Sequence, residues 1–185
     1  MANEENKVQF GLRNVHYAIY NETEATYATP VPVPGAVNLS LDAEGDLNKF
    51  YADDIAYFVT SNNNGYSGDL EIARIPDKML QEIWGYTQDS TSKVITENAD
   101  SIAKTFALLF QISGDKNASH FVMYACTATR PSLGSKTKEE TTEPNTQTIS
   151  ITAVPRADGK VFAKTTAETP AETVTNWYKS VFVAG

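Results

Sequence analysis

Two histidines, one cysteine and a run of alternating acids are the residues of this 185-residue chain whose types could carry chemistry. His16 and His120 stand far apart in sequence. An imidazole titrates near neutrality and ligates metals, but a catalytic or metal-binding role needs partners at fixed spacing. Neither H-E-x-x-H nor C-x-x-C occurs, so zinc has no visible cage. Each histidine is expected to cap or line a strand. Cys126 lies among bulky neighbours in a strand-like run and reads as an inert, buried thiol. A single cysteine allows no intramolecular disulfide, so an oxidising compartment is not implied.

Gly65-Tyr-Ser-Gly68 is one residue short of the G-x-S-x-G elbow of serine hydrolases. It follows Asn62-Asn-Asn64 and reads as a turn between strands. No glycine loop ending in Lys-Ser/Thr is present to cradle phosphate. Asp42, Glu44, Asp46 and Asn48 repeat an oxygen ligand at every second position, as calcium loops do. However, Leu47 occupies the place of the required glycine, Asp53 that of the closing glutamate, and the flanks read as strands. The stretch is taken as a solvated acidic loop. A glycosidase carboxylate pair is defined by distance, not spacing, so the abundance of acids says little. The chain is therefore read as non-enzymatic, with no catalytic residue, no metal and no cofactor.

The elements that would position these residues are mostly strands. Period-two alternation is clearest in Thr146–Val154 and Thr105–Ser113. In the second, both faces are apolar, which predicts a central strand. Ser113-Gly-Asp-Lys-Asn117 supplies a turn, and His120–Thr129 returns as the partner strand. Further strands are expected at Val15–Tyr20, Ala36–Leu41, Ile55–Thr60 and Asp69–Arg74, with weaker signals at Lys93–Glu97, Lys160–Lys164 and Ser180–Val183. Val31-Pro-Val-Pro-Gly35 cannot be a central strand, since proline lacks the ladder N–H. Pro76 and Asp77 open a helix through Trp84, and Gly85 ends it. A short second helix is possible at Ala171–Lys179. The expectation is one mostly-β domain over 1–185, a sandwich or barrel with a flanking helix at Asp77–Trp84. Residues 1–9 form a flexible arm, and Asp42–Asp54 and Arg130–Asn145 remain irregular.

The net charge is −8, and the basic residues are scattered. A groove that grips nucleic acid needs clustered Lys and Arg, so tight DNA binding is not expected. The N-terminus lacks the basic and apolar regions of a signal peptide, and no apolar run approaches the roughly 20 residues that span a bilayer. Without secretion, the sequons at Asn21, Asn38 and Asn117 carry no glycan.

Several stretches combine in order: Phe10-Gly-Leu-Arg-Asn-Val-His-Tyr-Ala18, Val33-Pro-Gly-Ala-Val-Asn-Leu-Ser-Leu41, Phe50-Tyr-Ala-Asp-Asp-Ile-Ala-Tyr57, Asn63-Asn-Gly-Tyr-Ser-Gly-Asp-Leu-Glu71, Phe106-Ala-Leu-Leu-Phe110, Cys126-Thr-Ala-Thr-Arg-Pro-Ser132 and Asn176-Trp-Tyr-Lys-Ser-Val-Phe182. As an ordered set, they resemble the major tail protein family of long, non-contractile-tailed bacteriophages, chiefly of Gram-positive hosts. The resemblance runs from about Phe10 to Phe182. It implies a structural virion protein, made in the host cytoplasm and assembled into stacked hexameric rings. Duplex DNA passes through the lumen without tight binding. Partners would be other copies of itself and the tape measure, tail terminator and distal tail proteins. Nothing after Phe182 suggests an added immunoglobulin-like domain.

The resemblance also implies long loops that reach neighbouring subunits. Expected inter-subunit residues are Asp42, Glu44, Asp46 and Lys49 in the first loop. In the second they are Arg130, Leu133, Lys136, Lys138, Glu139, Glu140 and Glu143. The second loop exceeds ordinary hairpin lengths, carries balanced charge and has few apolar groups, so it reads as an assembly arm. The alternative is a monomeric β-sandwich module that binds a carbohydrate or a receptor. Such a module needs an exposed aromatic platform, whereas most Tyr and Trp residues here are expected inside alternating strands.

Overall fold

The computed structural model describes residues 6–137 and 144–184. Among these described residues are thirteen strands: β1 Gln9–Asn21, β2 Thr26–Tyr27, β3 Val31–Pro32, β4 Ala36–Glu44, β5 Leu47–Ala52, β6 Ile55–Ser61, β7 Gly65–Ile72, β8 Thr87–Gln88, β9 Ile95–Thr96, β10 Phe106–Gly114, β11 Ser119–Ala128, β12 Gln147–Ala153 and β13 Phe162–Lys164. Two helices accompany them, α1 Asp77–Trp84 and α2 Ala171–Asn176. The main sheet is antiparallel, in the order β2-β1-β10-β11-β12-β7-β4, with β13 on β11 and β3 on β1. The mostly-β expectation holds.

The sheet curls on itself. Its inward residues form one core: Val15 and Tyr17 from β1, Leu108 and Phe110 from β10, Ile149 and Ile151 from β12, and Leu70 and Ile72 from β7. Strands β1 and β4 lie near opposite ends of the strand order yet approach within 8 Å between Cα atoms. The sheet is thus an open barrel with a seam between β1 and β4.

Helix α1 forms as its punctuation predicts. Pro76 precedes it, Asp77 sits in its first turn, and Gly85 terminates it with φ 71°. The helix buries Met79, Ile83 and Trp84 against the barrel core and leaves Asp77 and Lys78 exposed, as a flanking helix does. The Trp84 indole N–H donates to the carbonyls of Ala128 at 3.2 Å and Thr129 at 3.0 Å, fastening the helix to the end of β11. The Tyr17 hydroxyl donates to Glu82 at 2.6 Å.

A second, smaller core lies on the outer side of β1, β10 and β11. Ala18, Ala107, Leu109, Val122 and Tyr124 are covered there by Trp177 on the segment that follows α2. This explains the two apolar faces of β10. The weakly signalled strand at Ser180–Val183 is not a strand. Its Phe182 ring stacks on Trp177 at 5.5 Å, and its carbonyl accepts the Tyr124 hydroxyl at 2.6 Å.

Two expectations are corrected. Of the expected flexible arm 1–9, residues 6–9 are tied down. The Lys7 backbone N–H donates to Asp115 at 2.9 Å, Asn6 bonds the backbone of Lys116 and Asn117, and Gln9 pairs with Gly114. The acidic stretch Asp42–Asp54 is not irregular, because it contains the end of β4, all of β5 and a tight turn. Residues 130–137 and 144–146 have no regular element, as expected, and 138–143 lie outside the described residues.

Candidate assembly surface

Among the described residues, the exposed large apolar side chains concentrate on the β5–β6 hairpin. Asp53 and Asp54 both have positive φ, 50° and 62°, the requirement of a two-residue turn whose twist suits a hairpin. Short side chains that bond their own backbone tolerate this conformation. The pairs Lys49↔Val59 and Phe50↔Phe58 set the register, with an irregularity after Phe50. Cross-strand partners share a face and successive pairs alternate. Phe50 and Phe58 therefore project on one side, with Leu47 and Val59 on the other.

Leu47, Phe50, Tyr51, Ile55, Tyr57, Phe58 and Val59 are each 47–71% exposed. An aromatic side chain carries roughly 150–250 Å², so these four aromatics and three aliphatics leave about 700 Å² of apolar surface in water. The largest patch on a typical monomer is about 300–600 Å², and each partner of a stable interface contributes about 800 Å². The hairpin alone comes close to an interface half.

Its base is stiffened by hydrogen bonds. The Asp46 N–H donates to Asn62 Oδ1 at 2.7 Å, the Asn62 N–H to the Asp46 carbonyl at 3.2 Å, and the Asn64 N–H to the Glu44 carbonyl at 2.8 Å. A Cβ on Gly45 would sit 2.2 Å from the Asn62 carbonyl oxygen, so only glycine fits this crossing. The hairpin is thus a continuation of the β4–β7 pair, one two-stranded ribbon leaving the barrel.

The outer face of β4, β7 and β12 has the opposite character. Register places Asn38, Ser40 and Asp42 beside Glu71, Asp69 and Ser67, and these beside Thr148, Ser150 and Thr152. Inward residues alternate with them, so the face is all hydroxyl, amide and carboxylate. Asp42, Glu44, Asp69 and Glu71 contribute four acids, and these strands hold no Lys or Arg. Ser150 donates to Asp69 at 2.7 Å, and Ser67 donates to Glu44. The hydroxyls solvate the carboxylates locally without neutralising them.

The expected contact residues separate on this framework. Asp42 and Glu44 lie on the acidic face, Asp46 at the hairpin base and Lys49 on β5, all exposed. Arg130 is paired within its own chain, its Nη1 lying 2.6 Å from Glu97 Oε1, and the guanidinium holds the Glu97 carboxyl below its ordinary range. Leu133 is 92% exposed and Lys136 is exposed. Lys138, Glu139, Glu140 and Glu143 lie outside the described residues. The aromatic residues of the hairpin are absent from that expected set.

His16 and His120 meet the same side chain, Tyr178, with ring centroids 4.5 and 5.6 Å away. His16 Nδ1 lies 2.8 Å from the Asn14 carbonyl. His120 is buried and its Nδ1 has no partner among the described residues. Burial pushes its pKa down. Cys126 is fully buried and its thiol is pushed up to about 12 by desolvation. Gly65-Tyr-Ser-Gly68 lies within β7 and not in the preceding turn. Among the described residues, no group of three His, Cys, Asp or Glu side chains could hold a metal ion, and no helix is long and apolar enough to cross a membrane.

No family model matches the chain, and no curated protein is similar to it. Among solved structures, the fold is similar to the tube-terminating cap of an anti-feeding prophage, seen by cryo-EM. The TM-score is 0.46 and the identity 12%, over 88% of this chain and 96% of that chain. A likeness this distant carries no argument about function.

Proposed function

We propose that this chain is the major tube subunit of a phage-type tail, whose copies assemble into stacked hexameric rings around a channel for duplex DNA. The observation that carries the reading is the β5–β6 hairpin. A surface of about 700 Å² of aromatic and aliphatic groups, held out from the barrel on a stiffened ribbon, is sized for a partner. The chain's ordered resemblance to tail tube proteins makes that partner another copy. The acidic face of β4, β7 and β12 is assigned to the lumen, because a wall without cations gives phosphates nothing to grip. The protein would be non-enzymatic, resident in the tail after synthesis in the host cytoplasm. Tape measure, terminator and distal tail proteins would meet the tube at its axis and ends. The loop after Arg130 is a second, lesser arm, its first residue anchored to Glu97 at home.

The exposed Phe50, Tyr51, Tyr57 and Phe58 also favour a second reading, a monomeric carbohydrate- or receptor-binding module. Sugar platforms are flat, however, and here the apolar groups occupy both faces of a ribbon. Sedimentation across protein concentration and salt, with negative-stain microscopy, separates the two. Rings or tubes support the tail subunit; a strictly monomeric species that binds a glycan would replace it with the module.

A further inference from the structure

The seam of the barrel is an uncharged groove of about 630 Å³, lined mostly by apolar residues with Gln9 and Asn38 among them. Its floor is the stacked pair Phe110 and Phe121, 5.1 Å apart between ring centroids and nearly parallel. One wall is Tyr66 meeting Phe162 edge-on at 5.8 Å. No charged residue lines it. Its lips are Phe10 and Val37, each more than half exposed. Both lips lie at register breaks, between Phe10 and Leu12 on β1 and between Ala36 and Asn38 on β4. Bulges of this kind re-aim a side chain away from its pleat. The bordering strand edges are also open. β4 is a terminal strand, and among the described residues the backbone pairing of β1 on this side runs only from Val15 to Asn21, short of the groove at Gln9–Leu12.

We propose that this groove is the seat for the β5–β6 hairpin of a second copy, a refinement that rests on the self-assembly reading above. The hairpin is held out in solvent with all seven large apolar side chains exposed, so it does not fill the groove of its own chain. Its aromatic middle, Phe50, Tyr57 and Phe58, lies between acids at the base and tip, Asp46, Asp53 and Asp54. Lys49 pairs with Val59 on the other face, so the Phe50–Phe58 face, with Asn48 and Thr60 beside it, carries no charge, and neither does the lining of the groove. Between copies that each carry −8, contact without charge avoids the repulsion that charged faces would add. Hairpin and groove are different patches on one chain, so the contact is head-to-tail. It leaves each copy with a free hairpin or groove until the chain of contacts closes or extends, as rings and tubes require.

The test uses two full-length variants. Phe50→Asp with Phe58→Asp spoils the hairpin; Phe10→Glu with Val37→Glu spoils the groove. All four positions are exposed, so circular dichroism and melting should match the wild type. Each variant alone should need on the order of a hundredfold more protein to assemble, the effect of losing two interface anchors. Mixed together, they should form a one-to-one complex that does not grow, because one intact hairpin meets one intact groove. In parallel, Val37→Cys copies mixed with Phe58→Cys copies under a mild oxidant should link as dimers faster than Leu133→Cys with Phe58→Cys. This readout needs no charge in the groove. If the wild type assembles and the groove variant assembles equally well, or the Val37 pair links no faster than the Leu133 pair, the seat is wrong while the tube reading stands. If the wild type is monomeric under every condition, both are overturned.

Discussion

Replacing Leu47–Ser61 by a two-residue Asn-Gly turn should leave a folded monomer that cannot assemble. Asp46 and Asn62 are already bonded to each other by backbone and side chain, so the shortened ribbon can close where it now narrows. The removed side chains make no part of either core. The variant loses the hairpin's own cross-strand pairs, such as Phe50 with Phe58, at about 0.2–1 kcal/mol each. It gains a shorter loop, at about 0.6 kcal/mol per halving, or roughly 2 kcal/mol in all. These terms nearly cancel. A net change within about 1–2 kcal/mol corresponds to a Tm within about 6 °C of the wild type for a domain of this size.

The effect on assembly is much larger. About 700 Å² of apolar surface at about 25 cal/mol per Å² is roughly 17 kcal/mol, an upper bound. Ordering and lost rigid-body freedom consume most of it. If only a quarter survives, about 4 kcal/mol, its loss weakens association about a thousandfold. Calorimetry gives the Tm, and sedimentation velocity over a concentration series gives the association. Normal tubes from the shortened chain would refute the reasoning, and so would a chain that fails to fold, since the hairpin would then belong to its own core.

Stability should fall as pH drops from about 7 to 5, and His120→Leu should flatten that slope in thermal melts. Burial lowers the folded-state pKa of His120, so below about 6.5 the unfolded chain binds the extra proton and unfolding is favoured. Wild-type protein should show no mobility shift with duplex DNA at physiological salt, whereas Asp69→Lys with Glu71→Lys, which puts cations on the acidic face, should bind with a steep salt dependence. Gly68→Ala should cost about 1–3 kcal/mol or more in chemical denaturation, because its Cβ would lie 1.9 Å from the Ser40 carbonyl oxygen across the ladder. Assembly should be weak near 10 mM salt and strong near 150 mM in light scattering.

Local signals read well wherever one face of an element is wet or a helix is punctuated. Thr146–Val154 alternates and is β12 to within a residue at each end, and Pro76 with Gly85 bounds α1. Half of the hairpin was legible, since the strand read at Ile55–Thr60 is β6, but β5 and the pairing were not, for two reasons. Its apolar residues occupy both faces, so no period of two marks an exposed side. Its turn is Asp-Asp, a weaker signal than Asn-Gly or Asp-Gly. Residues 9–14 escaped as a strand because register breaks interrupt β1, with Gly11 at φ 71° and Asn14 at φ 50°. The acidic face and the groove exist only through register. Asp42, Ser67 and Thr152 are far apart in the chain and become neighbours across β4, β7 and β12. Spacing along a sequence cannot show that.

The ribbon also explains how strongly acidic copies can touch. Its β4–β7 half carries Asp42, Glu44, Asp69 and Glu71, while its β5–β6 half carries the apolar surface. Six residues of β5, at about 3.3 Å each, put the hairpin tip about 20 Å beyond the acidic face. The screening length is about 8 Å at 0.15 M salt and about 30 Å at 0.01 M. At physiological salt, a contact made along the hairpin lies beyond the reach of the acids behind it, and hydrophobic burial decides the outcome. At low salt the field of the acidic face extends past the tip, and repulsion opposes every docking event. The length of the hairpin therefore separates the two halves of the ribbon: the acidic half can face a channel, and the apolar half can bind a neighbour.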